Sequence, residues 1–162
     1  MTALVRKEDA EGRSLSETRI GGQRINIELI EHLRFRASFG KYSFTIDEPP
    51  ERGWTGAGLP PLSFFLAGAA SCLMTQYAKL AIAEDVTLKS MRATARGHFD
   101  RRIRGASEDV IYEIEIESPA SEDTIRKIAR EAEQYSQVMC YAHKSVHMQT
   151  NLSLNGKPIK FQ

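Results

Sequence analysis

An apolar run in the first half of the chain limits the possible folds more than any other stretch. The segment PPLSFFLAGAASCLMTQYAKL spans residues 60–80 and is almost wholly apolar from Leu62 to Met74. This run is shorter than the roughly 20 apolar residues needed to cross a bilayer. Pro60 and Pro61 fit the first turn of a helix, where a backbone N–H has no partner within the helix. The run therefore predicts a helix from about residue 61 to residue 84, buried in the protein core.

Alternating apolar and polar residues predict strands on both sides of this helix. Before it, RINIELI, LRFRASF and YSFTIDE alternate, and Gly40 lies where a tight turn would join the last two. After it, LKSMRATARGHF and DVIYEIEIES predict a hairpin whose outer face sets a row of arginines beside a row of glutamates. The segment VHMQTNLSL predicts a last strand.

A second helix is predicted after Ser121, whose side chain can cap the first turn. Apolar residues then recur at helical spacing, at Ile125, Ile128, Ala129, Ala132, Tyr135 and Met139. This helix would bring Cys140 to its carboxyl end. The predicted order is β-β-β-α-β-β-α-β, an α+β fold with a mainly antiparallel sheet. We expect residues 1–22 to be a loosely held N-terminal arm and residues 23–162 to form a single domain.

Composition narrows the class of protein. Hydrophobic residues make up 41% of the chain and charged residues 27%, which is typical of a globular protein. The net charge of +1 gives no electrostatic reason to expect a nucleic acid or a membrane as partner. The first 22 residues lack the apolar segment of a secretory signal, so we expect a cytoplasmic protein. In that reducing compartment the two cysteines are not expected to form a permanent disulfide, and no cofactor is predicted.

Cys72, in the middle of the apolar helix, allows two interpretations. A cysteine in an apolar helix often serves only as a small packing residue. It can also be a nucleophile in a dry pocket, but a thiol in apolar surroundings ionises poorly unless a cation lies nearby. No cation is correctly placed within the same helix, so an activating charge would have to come from elsewhere in the fold or from another subunit.

Cys140 is followed by two histidines, which raises the question of a metal site. Cys140, His143 and His147, with Cys72 as a fourth ligand, have side chains that bind zinc. No paired C-x-x-C or H-x-x-x-H motif completes a tetrahedral set, so no metal is predicted. A Cys-His-acid hydrolase is also not favoured, because neither cysteine lies in a known nucleophile signature.

Several motifs together resemble the OsmC/Ohr superfamily of osmotically inducible and organic hydroperoxide resistance proteins. The segment Asp47-Glu48-Pro49, the Gly/Pro-rich loop up to Pro61 and the helical segment from Phe64 to Cys72 follow the family pattern, as does the turn at residues 96–100. The second family cysteine, commonly in Cys-Pro-x-His, matches Cys140-Tyr141-Ala142-His143, with Tyr141 in place of the proline. The resemblance covers about residues 23 to 156 and includes the order of helices and strands.

The resemblance implies an intertwined homodimer with two active sites at its interface, built around a buried central helix. Its better-studied members are thiol peroxidases that reduce organic hydroperoxides. By this likeness Cys72 is the peroxidatic cysteine and Cys140 the resolving one, and an external dithiol reduces the disulfide between them. The family also uses an arginine near the amino-terminal strands, for which the candidates are Arg34 and Arg36.

One position departs from the family pattern. Active members hold that arginine with a glutamate at the start of the central helix, and this chain has Ser63 there, or Leu62 if one residue is gapped. Neither side chain binds a guanidinium as a carboxylate does. An alternative hypothesis is therefore a non-catalytic OsmC-like protein that binds a hydrophobic small molecule at the dimer interface. A third is a structural dimer whose cysteines are core residues.

Overall fold

The computed structural model describes residues 24–99, 107–142 and 148–161. These residues fall into two compact units, one ending at residue 65 and the other beginning at residue 66. The N-terminal arm predicted for residues 1–22 lies outside the described residues. The boundary of a single domain from residue 23 onward therefore stays a prediction.

The first unit is a three-stranded antiparallel sheet in the order β1-β2-β3. The strands are β1 (Asn26–Glu31), β2 (Arg34–Phe39) and β3 (Tyr42–Ile46), as the alternation predicts. Gly40 has a φ of 56° in the turn between β2 and β3, a conformation that glycine adopts without steric cost. The three predicted strands and this turn are confirmed.

Much of the apolar surface of this first unit is exposed. Every residue of β1 is exposed, including Ile27 and Leu29, whose exposed fractions are 60% and 58%. Phe39 and Tyr42 are also exposed, and Phe44 stacks on Phe64 with ring centroids 4.6 Å apart. An isolated soluble chain rarely leaves so many large apolar side chains in contact with water.

Asp47 anchors the Gly/Pro-rich loop that follows β3. Its side chain is buried and accepts hydrogen bonds from the Thr55 hydroxyl, the backbone N–H of Ala57 at 3.1 Å and that of Glu48 at 2.8 Å. Chiefly because of the bond from Thr55, the pKa of Asp47 lies below its usual value of 3.8. Further along this loop, Gly58 passes so close to β3 that an added Cβ would lie 2.2 Å from the carbonyl oxygen of Thr45.

The second unit contains most of the long helix α1 (Pro61–Ala83), whose first turn belongs to the first unit. After it come β4 (Ser90–Phe99) and β5 (Ser107–Glu117), then α2 (Glu122–Tyr135) and α3 (Gln137–Ala142). The chain continues through β6 (Met148–Leu154) to β7 (Lys157–Ile159). The four strands form one sheet in the order β4-β5-β6-β7, with only the β5–β6 pair parallel.

The predicted hairpin of β4 and β5 is confirmed. On its exposed face Arg92 Nε lies 2.7 Å from Glu115 Oε2, and Arg96 Nη2 lies 2.6 Å from Glu113 Oε2. The opposite face is apolar and packs into the core of this unit. The core cluster takes Ala69, Leu73, Tyr77 and Ala81 from α1, and Ile125, Ile128, Ala129 and Ala132 from α2. Ser121 caps α2 by accepting a hydrogen bond from the backbone N–H of Thr124 at 3.2 Å, as predicted.

Two details differ from the sequence prediction. The second helix is interrupted at Ser136, whose backbone is extended (φ −73°, ψ 109°), so Cys140 belongs to the separate helix α3. Tyr135 is 62% exposed and does not belong to the inward stripe, whereas Met139 is fully buried. The short strand β7 was not predicted, because three residues are too few to show an alternation.

The loop around Asp47 makes stability depend on pH in a defined direction. A carboxylate whose pKa is lowered on folding stabilises the folded state above the unfolded-state pKa of about 3.9, and this contribution disappears as pH falls through the folded-state pKa. We expect Asp47→Asn to lower the free energy of unfolding at pH 7, and its difference from the parent protein to shrink below pH 4. Urea unfolding at a series of pH values measures this difference.

Glu48→Gln is the matched control for this measurement, since Glu48 pairs only with the exposed Arg52, at 2.7 Å, among the described residues. Exposed pairs contribute little to stability, so the control should change it only slightly. A difference for Asp47→Asn that stays constant from pH 7 to pH 3 would contradict the assignment.

The exposed apolar residues of β1 predict a second copy of the chain on this surface. We expect Ile27→Gln to shift the protein from dimer to monomer in light scattering at micromolar concentration, because it places a polar amide in the covered surface. Glu28→Gln is the control on the same strand, since side chains of neighbouring residues point to opposite faces. A parent protein that is monomeric under the same conditions would refute the prediction.

Candidate active site

Cys72 lies in the middle of α1, beside the stripe of residues that this helix buries. Leu73, the next residue, is fully buried, while Cys72 itself is half-buried. The helix holds the sulfur at this depth because Ala69 and Leu73 fix one face of α1 against the core of the second unit. A half-buried thiol has an apolar environment and remains accessible to a small reactant.

The Cys72 sulfur accepts a hydrogen bond from the side chain of Ser136. Ser136 Oγ lies 3.3 Å from Cys72 Sγ, although the two residues are 64 positions apart in the sequence. Ser136 is fully buried, so its hydroxyl is shielded from water. The Ser136 hydroxyl is therefore a polar group that the structure places in direct contact with the Cys72 sulfur.

Ser136 is held in place by both helices that it joins. Its backbone N–H donates to the carbonyl oxygen of Ala132 at 3.0 Å, which ends α2. Its hydroxyl oxygen accepts from the backbone N–H of Met139 at 3.4 Å, which starts α3. Because a hydroxyl that accepts one hydrogen bond becomes a stronger donor in the next, the contact with Met139 strengthens the contact with sulfur.

The structure places the backbone of Cys140 in α3, the helix that Ser136 starts. The Cys140 side chain lies outside what the structure describes, as do His143 and His147. Among the described residues, no three His, Cys, Asp or Glu side chains are grouped so that they could hold a metal ion.

Arg34 and Arg36 lie on β2, in the first unit, whereas Cys72 lies in the second. Arg34 is half-buried and forms an ion pair with Glu31. Arg36 is exposed and forms no ion pair within the described part of the chain. Whether either arginine acts on Cys72 stays a prediction. At the start of α1, the half-buried Ser63 has only a hydroxyl where the related pattern has a carboxylate.

Two buried tyrosines of the second unit are not sources of charge. Burial, assisted by the negative charge of Glu133, strongly raises the pKa of Tyr77. Burial alone raises the pKa of Tyr112 to about 12. Both phenols therefore stay neutral at physiological pH.

Sequence reasoning missed Ser136, although a signal for it was present. Ser136 follows Ala132 by four residues and precedes Met139 by three, so helical spacing places it on the inward stripe. A small hydroxyl residue at such a position is a candidate for a buried hydrogen bond or a helix cap. The identity of its partner could not be inferred, because no local pattern connects position 136 with position 72.

Comparisons with known proteins bear on the family and the fold of this chain. A family model described as OsmC-like protein matches residues 54–151. Comparison with curated proteins gave no significant match. In the described residues, no helix combines the length and apolar character needed to span a membrane.

Several solved structures are similar to this chain. An OsmC-like protein from Mycoplasma pneumoniae is 20% identical with a TM-score of 0.75, over 82% of this chain and 96% of that one. An organic hydroperoxide resistance protein OsmC from Legionella pneumophila is 15% identical with a TM-score of 0.65, over 83% and 97%. An organic hydroperoxide resistance protein from Elizabethkingia anophelis is 14% identical with a TM-score of 0.66, over 82% and 96%. These identities are low, so the likeness establishes the fold alone.

The contact between Ser136 and Cys72 predicts a change in thiol reactivity. We expect Ser136→Ala to slow the alkylation of Cys72 by iodoacetamide at pH 7 by roughly tenfold, since a hydrogen bond to a charged group contributes about 1.5–3 kcal/mol. The rate is measured by mass spectrometry in the Cys140→Ser background, which leaves a single thiol.

Ser71→Ala is the matched control for this variant. Ser71 precedes Cys72 and is exposed, and its hydroxyl bonds to the carbonyl oxygen of Gly68 instead of to sulfur. Equal alkylation rates for Ser136→Ala and Ser71→Ala, with both proteins folded by circular dichroism, would show that the Ser136 hydroxyl does not act on the sulfur.

Proposed function

Since the chain belongs to the OsmC-like protein family, we propose that it is a cysteine-based thiol peroxidase that reduces organic hydroperoxides. The observation that carries this proposal is the half-buried Cys72 thiol with a buried hydroxyl donor at 3.3 Å. Two structural neighbours are named organic hydroperoxide resistance proteins, which supports the same chemistry.

The first step is the attack of the Cys72 thiolate on the distal oxygen of the hydroperoxide. The O–O bond breaks, the alkoxide takes up a proton and leaves as an alcohol, and Cys72 becomes a sulfenic acid. Ser136 contributes by stabilising the thiolate before the attack. An apolar surrounding suits the carbon chain of an organic hydroperoxide better than it suits hydrogen peroxide.

The second step assigns Cys140 as the resolving cysteine. Its thiolate attacks the Cys72 sulfur, the hydroxyl of the sulfenic acid leaves as water, and a disulfide forms. An external dithiol then reduces this disulfide and becomes oxidised itself. Support comes from α3, which directly follows Ser136, the residue that contacts Cys72, and carries the backbone of Cys140.

A positive charge near Cys72 is also part of the proposal. We assign it to Arg36 or Arg34, in a homodimer whose active sites lie at the subunit interface. Arg36 is the better candidate, because the charge of Arg34 is already matched by Glu31. We further propose that the protein works in the cytoplasm, where reducing dithiols are available.

The alternative is a non-catalytic protein that binds a hydrophobic small molecule at the dimer interface. The observation that favours it is the replacement of the helix-start carboxylate by Ser63, next to the exposed apolar side chains of Leu62 and Phe65. In this alternative Cys72 would react slowly with thiol reagents, and a hydrophobic ligand would be purified with the protein.

Activity measurements distinguish the two proposals. With dithiothreitol supplied, we expect the protein to consume cumene hydroperoxide, and Cys72→Ser to lose at least a hundredfold in rate because the proposed peroxidatic thiol is removed. Cys140→Ser should still form the Cys72 sulfenic acid, which dimedone traps as a mass increase. Ser71→Ala, which keeps both thiols, should retain the parent rate.

The enzyme proposal fails if the parent protein consumes no hydroperoxide above the rate of Cys72→Ser. Dimedone labelling of Cys72 without a stable disulfide in the parent protein would retain the peroxidatic role and remove the resolving role from Cys140.

A further inference from the structure

The sheet of the second unit opens at its β6–β7 edge into a cleft of about 570 Å³. It is lined by residues 149–153 of β6 and by residues 158–161 of β7 and the segment after it. None of these residues takes part in the chemistry proposed for Cys72. A volume of this size lies within the range of about 300–1,000 Å³ that is typical of small-molecule sites.

The cleft exists because the chain leaves β6 after Ile159. Up to that residue β7 pairs with β6, from Leu152 to Leu154. Beyond it, Arg126 Nε of α2 donates to the carbonyl oxygen of Lys160, and Arg130 Nε to that of Phe161. These charge-assisted hydrogen bonds hold the C-terminal segment, so the gap beside residues 149–151 is formed before any ligand arrives.

The lining of the cleft combines an apolar floor with a cation at the rim. Leu152, Ile159 and Phe161 belong to the core cluster and present apolar atoms. Lys160 is exposed, and within the described residues its ammonium group forms no ion pair. Thr150 also lines the cleft, and its hydroxyl is buried without a hydrogen-bond partner in the described chain. This hydroxyl has almost no accessible surface and lies on the core side of β6 with Leu152, so a ligand in the cleft does not reach it.

We propose that this cleft binds a small amphipathic anion, a carboxylate with a medium-length hydrocarbon chain. The chain lies against Leu152 and Ile159, and the carboxylate faces Lys160. The site is independent of Cys72, so a failure of the peroxidase proposal would leave this proposal untouched, and the reverse is also true.

An extended peptide pairing with the open edge of β6 is the competing occupant. That edge is short, since β7 already covers Leu152–Leu154 and leaves only the first part of β6. Strands usually run for about five or six residues, so this edge offers a peptide few backbone partners. The apolar floor and the cation at the rim match an amphipathic anion better.

The test is calorimetric titration of the full chain with octanoate, 1-octanol and acetate. Octanoate should bind saturably with one molecule per chain. Octanol, which lacks the charge, should bind about three- to fivefold more weakly, as expected for the loss of an exposed ion pair. Acetate, which lacks the chain, should show no saturable binding. Amide chemical shifts should change with octanoate at residues 149–153 and 159–161.

Variants connect the binding to named side chains. Lys160→Gln should weaken octanoate binding about three- to fivefold and leave octanol binding unchanged. Lys157→Gln is the matched control, because Lys157 is also exposed on β7 but does not line the cleft. Thr150→Val removes the buried, unpartnered hydroxyl, so it should raise the melting temperature of the ligand-free protein and leave octanoate binding unchanged.

Three outcomes would overturn the proposal. The first is the absence of saturable octanoate binding, or shift changes that map to β1–β3 instead of the cleft. The second is equal octanoate affinity in Lys160→Gln and Lys157→Gln. The third is binding of an uncharged extended peptide, such as acetyl-Thr-Val-Thr-Val-amide, as tight as that of octanoate, which would assign the edge of β6 to strand addition.

Discussion

The hydrogen bond from the Ser136 hydroxyl to the Cys72 sulfur connects parts of the site that lie 64 residues apart in the chain. The same side chain accepts from Met139 and so begins α3, while the Ser136 backbone ends α2. The apolar stripe of α2 fixes that helix in the core, so the hydroxyl cannot move without disturbing a helix end. The sulfur thus has a donor whose position is set before any substrate arrives, which is the arrangement that nucleophilic catalysis favours.

The helix α1, which carries Cys72, sets the surroundings of the thiol and also leaves apolar side chains exposed to water. Apolar residues lie on every side of α1, yet the chain buries only one stripe of it, and Leu62, Phe65 and Ile82 remain exposed. A helix of this composition is stable in water only when its other faces are also covered. The exposed apolar residues of β1 add to the apolar surface that is left in contact with water. Covering both surfaces with a second copy would remove water from the surroundings of α1, so the proposed thiol chemistry would depend on the proposed dimer.

Most of the helices and strands could be predicted, because the sequence pattern that indicates each of them lies within the segment itself. Period-two alternation gave the three strands of the first unit and the hairpin of β4 and β5, and Ser121 marked the start of α2. The break at Ser136 was missed, since its helical spacing from Ala132 and Met139 is the same in a continuous helix and in a capped one. Cys72 was proposed as the nucleophile from its family pattern, because composition alone favours a packing role. Ser136 could not be assigned to Cys72, since their contact arises only from tertiary packing.

The charge near Cys72 remains the physical condition on which the peroxidase proposal depends. One hydroxyl donor contributes about 1.5–3 kcal/mol to a charged acceptor, and a guanidinium adds a full charge. Arg34 forms an ion pair with Glu31 and also attracts Asp47. Its positive charge is therefore largely compensated and would stabilise a thiolate only weakly. Arg36 has no such partner among the described residues. With Ser63 in place of a carboxylate, nothing at the start of α1 fixes a guanidinium in advance. In the proposed homodimer, contacts between the two chains would orient the guanidinium, so the proposed activation of Cys72 would depend on dimer formation.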